Sequence, residues 1–87
     1  MTKALAVGLA GLNIRVNSVG PGPVESAMNA DALATPASRD AVLARVPMRR
    51  PGRADEIAAA VAFLAADEAT FVTGTTVYVD GGTNIVA

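Results

Sequence analysis

Cysteine, histidine and tryptophan are all absent from the 87 residues of this sequence. No disulfide, and no metal site built from cysteine or histidine, can therefore brace the fold. Aromatic residues are also scarce: they make up 3% of a chain that is 52% hydrophobic. Much of the apolar fraction is alanine, which removes little area from water per residue. The length permits one small domain of marginal stability without a partner, and the composition indicates a piece of a larger core.

The sequence also lacks a strong charge of either sign and a long apolar run. A net charge of −1 gives no electrostatic reason to expect nucleic acid or an anionic membrane as partner. The longest uncharged apolar run, residues 57–66, is about half the length that a membrane-spanning helix needs. Residues 1–10 imitate a short signal peptide, but no cleavage site follows, and the tail of a helix is the favoured interpretation. We therefore expect a cytoplasmic protein.

The hydrophobic pattern predicts alternating helices and strands. Helices are expected at residues 2–9 and from Asp55 to about Asp67, and strands at residues 14–19 and 75–80. Between them, residues 28–46 form a long excursion with a short helix near residues 38–45. Strands that alternate with helical connections favour a parallel sheet, and two such strands need further cover on both faces.

Four segments carry a more specific signal. In their order and spacing they resemble the closing part of the short-chain dehydrogenase/reductase family: IRVNSVGPGPVES at 14–26, PMRRPGRADEIA at 47–58, FLAADEATFVTG at 63–74 and VYVDGG at 77–82. The resemblance implies an α/β fold, the C-terminal portion of a Rossmann-like doubly wound parallel sheet that is incomplete on its own. Residues 1–87 would then be part of a single NAD(P)-binding domain, with NAD or NADP as cofactor.

The Pro-Gly turn, residues 20–23, ends the first predicted strand. Ligands of α/β sheets bind outside the carboxyl ends of the strands, and glycine lets the backbone approach a flat ring closely. A plain strand-ending turn is the alternative. The family resemblance implies that Pro21, Gly22 and the backbone of Val24 lie against the nicotinamide and its carboxamide, and that Ser26 offers its hydroxyl to the cofactor. It also implies that the excursion is the substrate loop.

The resemblance implies no catalytic residue in this sequence. The family's proton transfer uses a tyrosine with a lysine four residues later, beside a serine. Here the only tyrosine is Tyr78, with Gly82 four residues later, and the only lysine is Lys3. The glycine-rich dinucleotide turn is absent too. We expect a fragment of an NAD(P)-dependent oxidoreductase for alcohol and ketone groups, inactive alone, whose intact relative takes a small carbonyl or alcohol substrate.

A second hypothesis is a non-catalytic interaction module. In the family that the sequence resembles, the last helix and strand commonly form a subunit interface, so the chain is expected to pair with itself or with a full-length relative. A basic cluster, Arg49, Arg50 and Arg53, raises the separate question of nucleic acid. Without interleaved aromatics, and followed by Asp55 and Glu56, it is better explained as orienting the start of a helix.

Overall fold

The structure, a computed structural model, describes residues 1–85. Its main elements follow one another as helix, strand, two helices and strand: α1 at Thr2–Ala10, β1 at Ser18–Pro21, α2 at Pro36–Leu43, α3 at Ala54–Ala65 and β2 at Thr76–Val79. The strands pair in parallel, with Ser18 opposite Thr76 and Pro21 opposite Val79. The predicted α/β class and the parallel pairing are therefore confirmed. Within residues 1–85 no helix is both long and apolar enough to cross a bilayer.

The first strand lies later than the sequence pattern predicts, at Ser18–Pro21 instead of residues 14–19. The backbone N–H of Val16 donates to the Thr73 hydroxyl at 3.1 Å, and its carbonyl accepts from the N–H of Gly74 at 2.8 Å. These bonds tie residue 16 to the loop before β2 instead of to the strand itself. Pro21 can end the strand because the bonds to β2 come from its neighbours, including Gly22 N–H to the Val79 carbonyl at 3.1 Å.

Helix α2 begins two residues before its predicted start. The Thr35 hydroxyl accepts from the Ser38 N–H at 3.2 Å, and Ser38 Oγ accepts in turn from the Thr35 N–H at 3.4 Å. This reciprocal capping satisfies N–H groups that a helix start leaves free. Pro36 occupies the first helical position, where its missing N–H costs nothing. A proline within the excursion therefore begins its helix.

Charged side chains from the preceding basic turn fix the start of α3. The Glu56 carboxylate accepts two bonds from the Arg50 guanidinium, at 2.9 and 3.0 Å, and one from the Arg53 N–H at 2.9 Å. Arg53 also pairs with Asp55 at 3.1 Å. The hydrogen bonds from Arg50 and then from the Arg53 backbone lower the pKa of Glu56 to about 2. Two of the three arginines thus orient the helix start.

Acidification is expected to weaken this helix start. The pKa of Glu56 is lower in the folded chain than its ordinary value of 4.5. Its contribution to stability is therefore complete above that value and is lost as the pH falls toward 2. Urea unfolding midpoints compared at about pH 5 and about pH 2.5 should fall less in Glu56→Gln than in the parent chain. Glu68→Gln, a change at an exposed acid beyond α3, is the control and should keep the parent's acid dependence.

Few side chains are fully buried, and the molecule is elongated. The buried apolar residues of the described part are Ala6, Val46, Leu64 and Ala69. Large apolar side chains stay exposed, among them Val7, Phe63 and Phe71. The radius of gyration is 15.6 Å, whereas a compact chain of this length would have about 12 Å. The structure thus agrees with the expectation of a part of a larger core.

Candidate functional site

Two turns meet at the carboxyl edge of the parallel sheet. The Pro-Gly turn follows β1, and the Asp-Gly-Gly turn, residues 80–82, follows β2. They are in direct contact: a Cβ at Gly22 would lie 2.7 Å from the Asp80 Cβ and 2.8 Å from the Asp80 Cα. No side chain fits at position 22, so the backbone itself forms the surface there. This edge is where open α/β sheets bind their ligands.

The Asp80 carboxylate is used to build its own turn. It accepts from the N–H of Gly82 at 3.0 Å and from the N–H of Asn84 at 2.8 Å. The Thr83 hydroxyl donates to the Asp80 carbonyl at 2.7 Å. Gly81 and Gly82 have φ values of 63° and 97°, which favour glycine. Asp80 therefore shapes the edge of the site.

Val24 presents its backbone N–H on the side of the chain opposite Gly52. Gly52 donates to the Pro23 carbonyl at 2.8 Å and accepts from the Glu25 N–H at 2.9 Å, so the intervening Val24 forms a parallel bridge with Gly52. In such a bridge the N–H and C=O of the middle residue point to the opposite side. The Val24 carbonyl accepts there from Asn29 Nδ2 at 2.8 Å. The Val24 N–H faces the same side and is placed to donate to a ligand.

Ser26 also keeps its hydroxyl available. It is exposed and begins a short 3₁₀ turn, Ala27–Asn29, without capping it through the side chain. The hydroxyl follows the Val24 N–H by two residues along an extended segment. Pro21, Gly22, Val24 and Ser26 thus lie along one continuous stretch that leaves the carboxyl end of β1. The structure places all four sequence-predicted residues at the end of β1 or on the segment that leaves it.

Tyr78 is the residue at this edge that the sequence reasoning did not assign. Its ring lies over Gly20, where a Cβ would be 2.7 Å from Tyr78 Cδ1. It lines two neighbouring cavities of about 310 and 340 Å³, one beside Arg50 and Glu56 and the other beside the Pro-Gly turn. The parallel register of the two strands puts Gly20 opposite Tyr78. Aligning the two predicted strands in that register would have placed Tyr78 beside the Pro-Gly turn.

No acid–base pair is assembled at the edge. Lys3 Nζ donates to the Gly74 carbonyl at 3.3 Å, ahead of β2, whereas Tyr78 lies in the second half of that strand. The two residues therefore belong to opposite ends of the sheet. Within residues 1–85 no group of three or more acidic, cysteine or histidine side chains could hold a metal ion. This edge offers backbone donors and the hydroxyl groups of Ser26 and Tyr78 instead.

A parallel α/β unit with a glycine turn at its carboxyl edge defines the class: part of a Rossmann-type, doubly wound fold. A family model described as enoyl-(acyl carrier protein) reductase matches residues 1–84. The chain belongs to the short-chain dehydrogenase/reductase family, and the sequence-based assignment is confirmed.

Similar proteins include dehydrogenases and a reductase. The chain is 45% identical over 82 residues to 3beta-hydroxysteroid dehydrogenase 1 of Eggerthella lenta, covering 94% of this chain and 31% of that protein. Among solved structures, 4-hydroxyisoleucine dehydrogenase complexed with NADH has a TM-score of 0.94 at 27% identity, covering 99% of this chain and 35% of the other. YwfH, an NADPH-dependent reductase involved in bacilysin biosynthesis, has a TM-score of 0.82 at 32% identity, covering 94% and 34%. The chain thus spans about a third of the length of its relatives.

Proposed function

We propose that residues 1–87 are the C-terminal part of a single NAD(P)-binding domain in an oxidoreductase that interconverts alcohol and ketone groups. The observation that carries the proposal is the Pro-Gly turn at the carboxyl edge of β1, followed by a Val24 N–H that points away from its bridge. Family membership supports it, as do the dehydrogenase names of the relatives.

Residues 21–26 fit the nicotinamide end of NAD or NADP. Pro21 and Gly22 offer a flat surface without side-chain obstruction, the Val24 N–H is a donor for the carboxamide, and the Ser26 hydroxyl is a second polar contact. When bound, the cofactor supplies or accepts hydride. The chain's own contribution is to orient the ring at the sheet edge. Either NAD or NADP suits this contribution, because it involves only the nicotinamide end.

Catalysis requires groups beyond those found here. We propose that a tyrosine, lysine and serine for proton transfer, and a glycine-rich turn for the pyrophosphate, come from the other two thirds of the domain. The excursion would then cover a small carbonyl or alcohol substrate, and the protein would work in the cytoplasm. Because the catalytic groups would lie outside residues 1–87, we expect this chain to have no dehydrogenase activity by itself.

A chimera tests the proposal. In 3beta-hydroxysteroid dehydrogenase 1 of Eggerthella lenta, the aligned segment is replaced by this chain, and the chimera is assayed for steroid-dependent reduction of NAD or NADP. Activity is expected. Ser26→Ala in the chimera should raise the KM for the cofactor about fivefold or more, as expected for loss of a hydrogen bond. Ser26→Thr keeps the hydroxyl and should leave the cofactor KM at the value of the unsubstituted chimera. A folded, active chimera whose cofactor KM is the same in all three forms would refute the assigned role of the turn.

A second candidate function, as a non-catalytic interaction module, is favoured by the exposed apolar surface of the last helix and strand. Val61 and Phe63, two residues apart and so on different sides of α3, are 51% and 53% exposed, and Tyr78 on β2 is 53% exposed. Large apolar side chains left exposed on neighbouring elements are typical of elements that pair with another protein. We propose that α3 and β2 take part in homo-oligomers or in pairing with a full-length relative.

If the chain self-associates through α3 and β2, substitution of Phe63 should weaken the association more than substitution of Phe71. Phe63→Ser should shift the chain toward monomer, with the dissociation constant raised about tenfold or more. Phe71 is fully exposed but lies after α3, in the loop that precedes β2, so Phe71→Ser is the matched control and should change little. Sedimentation velocity over a range of concentrations measures both. Equal effects of the two substitutions would indicate non-specific aggregation.

A further inference from the structure

The turn after β2 contains the one aspartate of the sequence that is followed by glycine, Asp80 before Gly81. An aspartate can close a five-membered ring with the nitrogen of the next residue, and glycine hinders this least because it has no side chain. The other four aspartates precede larger residues: alanine follows Asp31 and Asp40, and glutamate follows Asp55 and Asp67. No asparagine precedes a glycine either. The sequence thus concentrates this reactivity at one peptide bond.

The reaction at this bond needs only water. The Gly81 nitrogen attacks Asp80 Cγ, and one carboxyl oxygen leaves as water, with the N–H proton and a proton from the carboxyl group. A water molecule then adds to the main-chain carbonyl carbon of Asp80, and the bond from that carbon to the Gly81 nitrogen breaks. Gly81 is now joined to the side-chain carbon. The product, isoaspartate, has the same mass as before and one more carbon in the backbone.

The structure leaves the attacking nitrogen and the path of water open. Among residues 1–85 no group accepts a hydrogen bond from the Gly81 N–H. Asp80 and Gly81 both line the cavity of about 310 Å³, and Asp80 also lines the neighbouring cavity of about 340 Å³. The nucleophile is therefore free, and water can reach the carbonyl carbon that it must attack.

The Asp80 carboxylate, by contrast, is restrained. Its two oxygens accept from the N–H groups of Gly82 and Asn84, at 3.0 and 2.8 Å. While both bonds hold, the carboxyl group is directed at these two donors, and neither oxygen is released to leave as water. The Thr83 hydroxyl closes the turn further by donating to the Asp80 carbonyl at 2.7 Å. Ring closure therefore requires the turn to open first.

We propose that the Asp80–Gly81 bond is a site of spontaneous isoaspartate formation, which the closed Asp-Gly-Gly turn suppresses. Each opening of the turn exposes the bond to reaction, and the added backbone carbon then prevents the turn from closing with its original bonds. Because Gly22 lies against Asp80, the product also alters the surface of the Pro-Gly turn. That this surface holds a cofactor rests on the proposed function, whereas the isomerisation rests only on the turn itself.

Rates of isoaspartate formation in the full 87-residue chain test the proposal. The chain is incubated at mildly acidic pH, folded in trimethylamine N-oxide or unfolded in urea, and circular dichroism verifies each state. An isoaspartyl carboxyl methyltransferase with S-adenosylmethionine counts the product, and electron-transfer dissociation mass spectrometry locates it. At residue 80 the folded chain should react about tenfold or more slowly than the unfolded chain, since two hydrogen bonds to a charged group must break.

Variants assign the reaction and its restraint. Asp80→Glu should abolish the signal, because the longer side chain would have to close a six-membered ring. Thr83→Val removes the hydroxyl that closes the turn and should raise the rate of the folded chain about two- to tenfold. Thr83→Ser keeps the hydroxyl and should match the parent chain. A synthetic peptide of residues 76–84, measured in both solvents, corrects for the effect of the solvents on the chemistry itself.

Two results would overturn the proposal. One is an equal corrected rate at residue 80 in the folded and the unfolded chain, which would show that the turn restrains nothing. The other is an unfolded chain in which residue 80 reacts no faster than the other aspartates. The assay contains no nicotinamide cofactor, so its outcome is independent of whether residues 21–26 bind one.

Discussion

Gly22→Ala is expected to destabilise the chain by about 3 kcal/mol, at the upper end for an overpacked position. The new methyl group would lie 2.7 Å from the Asp80 Cβ and 2.8 Å from the Asp80 Cα. A flexible side chain could move aside, but the Asp80 backbone is held by the turn that its own carboxylate caps. The two strand ends must therefore separate, and the bond from Gly22 N–H to Val79 should be lost as well.

Urea unfolding followed by circular dichroism measures this loss, with trimethylamine N-oxide present to give a folded baseline. Gly8→Ala is the matched control, because Gly8 lies within α1 and a Cβ there meets nothing within 4 Å. Alanine is the better helix former, so this control should gain up to about 1 kcal/mol. The same substitution at two glycines should thus act in opposite directions. A Gly22→Ala chain as stable as its parent would show that the two turns are not in contact.

Asn17→Ala is expected to cost about 2 kcal/mol or more, since it removes two hydrogen bonds between distant parts of the chain. Asn17 Nδ2 donates to the Val72 carbonyl at 2.9 Å, and Asn17 Oδ1 accepts from the Thr75 N–H at 3.1 Å. Both partners lie in the loop that leads into β2. The amide therefore sets where β2 begins to pair with β1, and its loss should loosen the register of the sheet.

The same unfolding assay applies, and amide hydrogen exchange adds a local readout. In Asn17→Ala the amides of residues 75–79 should exchange faster than in the parent, while those of α2 should not change. Asn84→Ala, at an exposed asparagine after β2, is the control and should stay within about 0.5 kcal/mol of the parent. Equal effects at the two asparagines would contradict a special role for residue 17.

The order of elements was predictable because hydrophobic periodicity and turn residues act locally. The parallel pairing followed from the helices between the strands, and the Pro-Gly turn marked the end of β1. The start of that strand was not predictable from residues 14–17, whose alternating pattern is typical of a strand. Val16 and Asn17 bond instead to the loop 55 or more residues later, and no local pattern contains such a contact.

Capping and pairing account for the other differences. A proline by itself favours the end of a helix. Pro36 instead occupies the first position of α2, because Thr35 and Ser38 cap the N-terminus of that helix. Glycine and asparagine both favour the end of a helix, and of Gly11 and Asn13 after α1 only Asn13 is left-handed, with φ of 59°, whereas the φ of Gly11 is −64°. The place of Tyr78 over Gly20 depends on the strand register. Pro21, Gly22, Val24 and Ser26 could be named from the sequence because they lie within one short motif of the family resemblance, and their role toward a cofactor stays a prediction.

The central claim is that residues 21–26 hold the nicotinamide end of a cofactor, and a crystal structure of the chimera with NADH tests it most directly. The account predicts the nicotinamide ring against Pro21 and Gly22, with its carboxamide within hydrogen-bonding distance of the Val24 N–H and Ser26 near enough to contact the cofactor. A well-ordered nicotinamide bound elsewhere, with the Val24 N–H facing solvent, would contradict it.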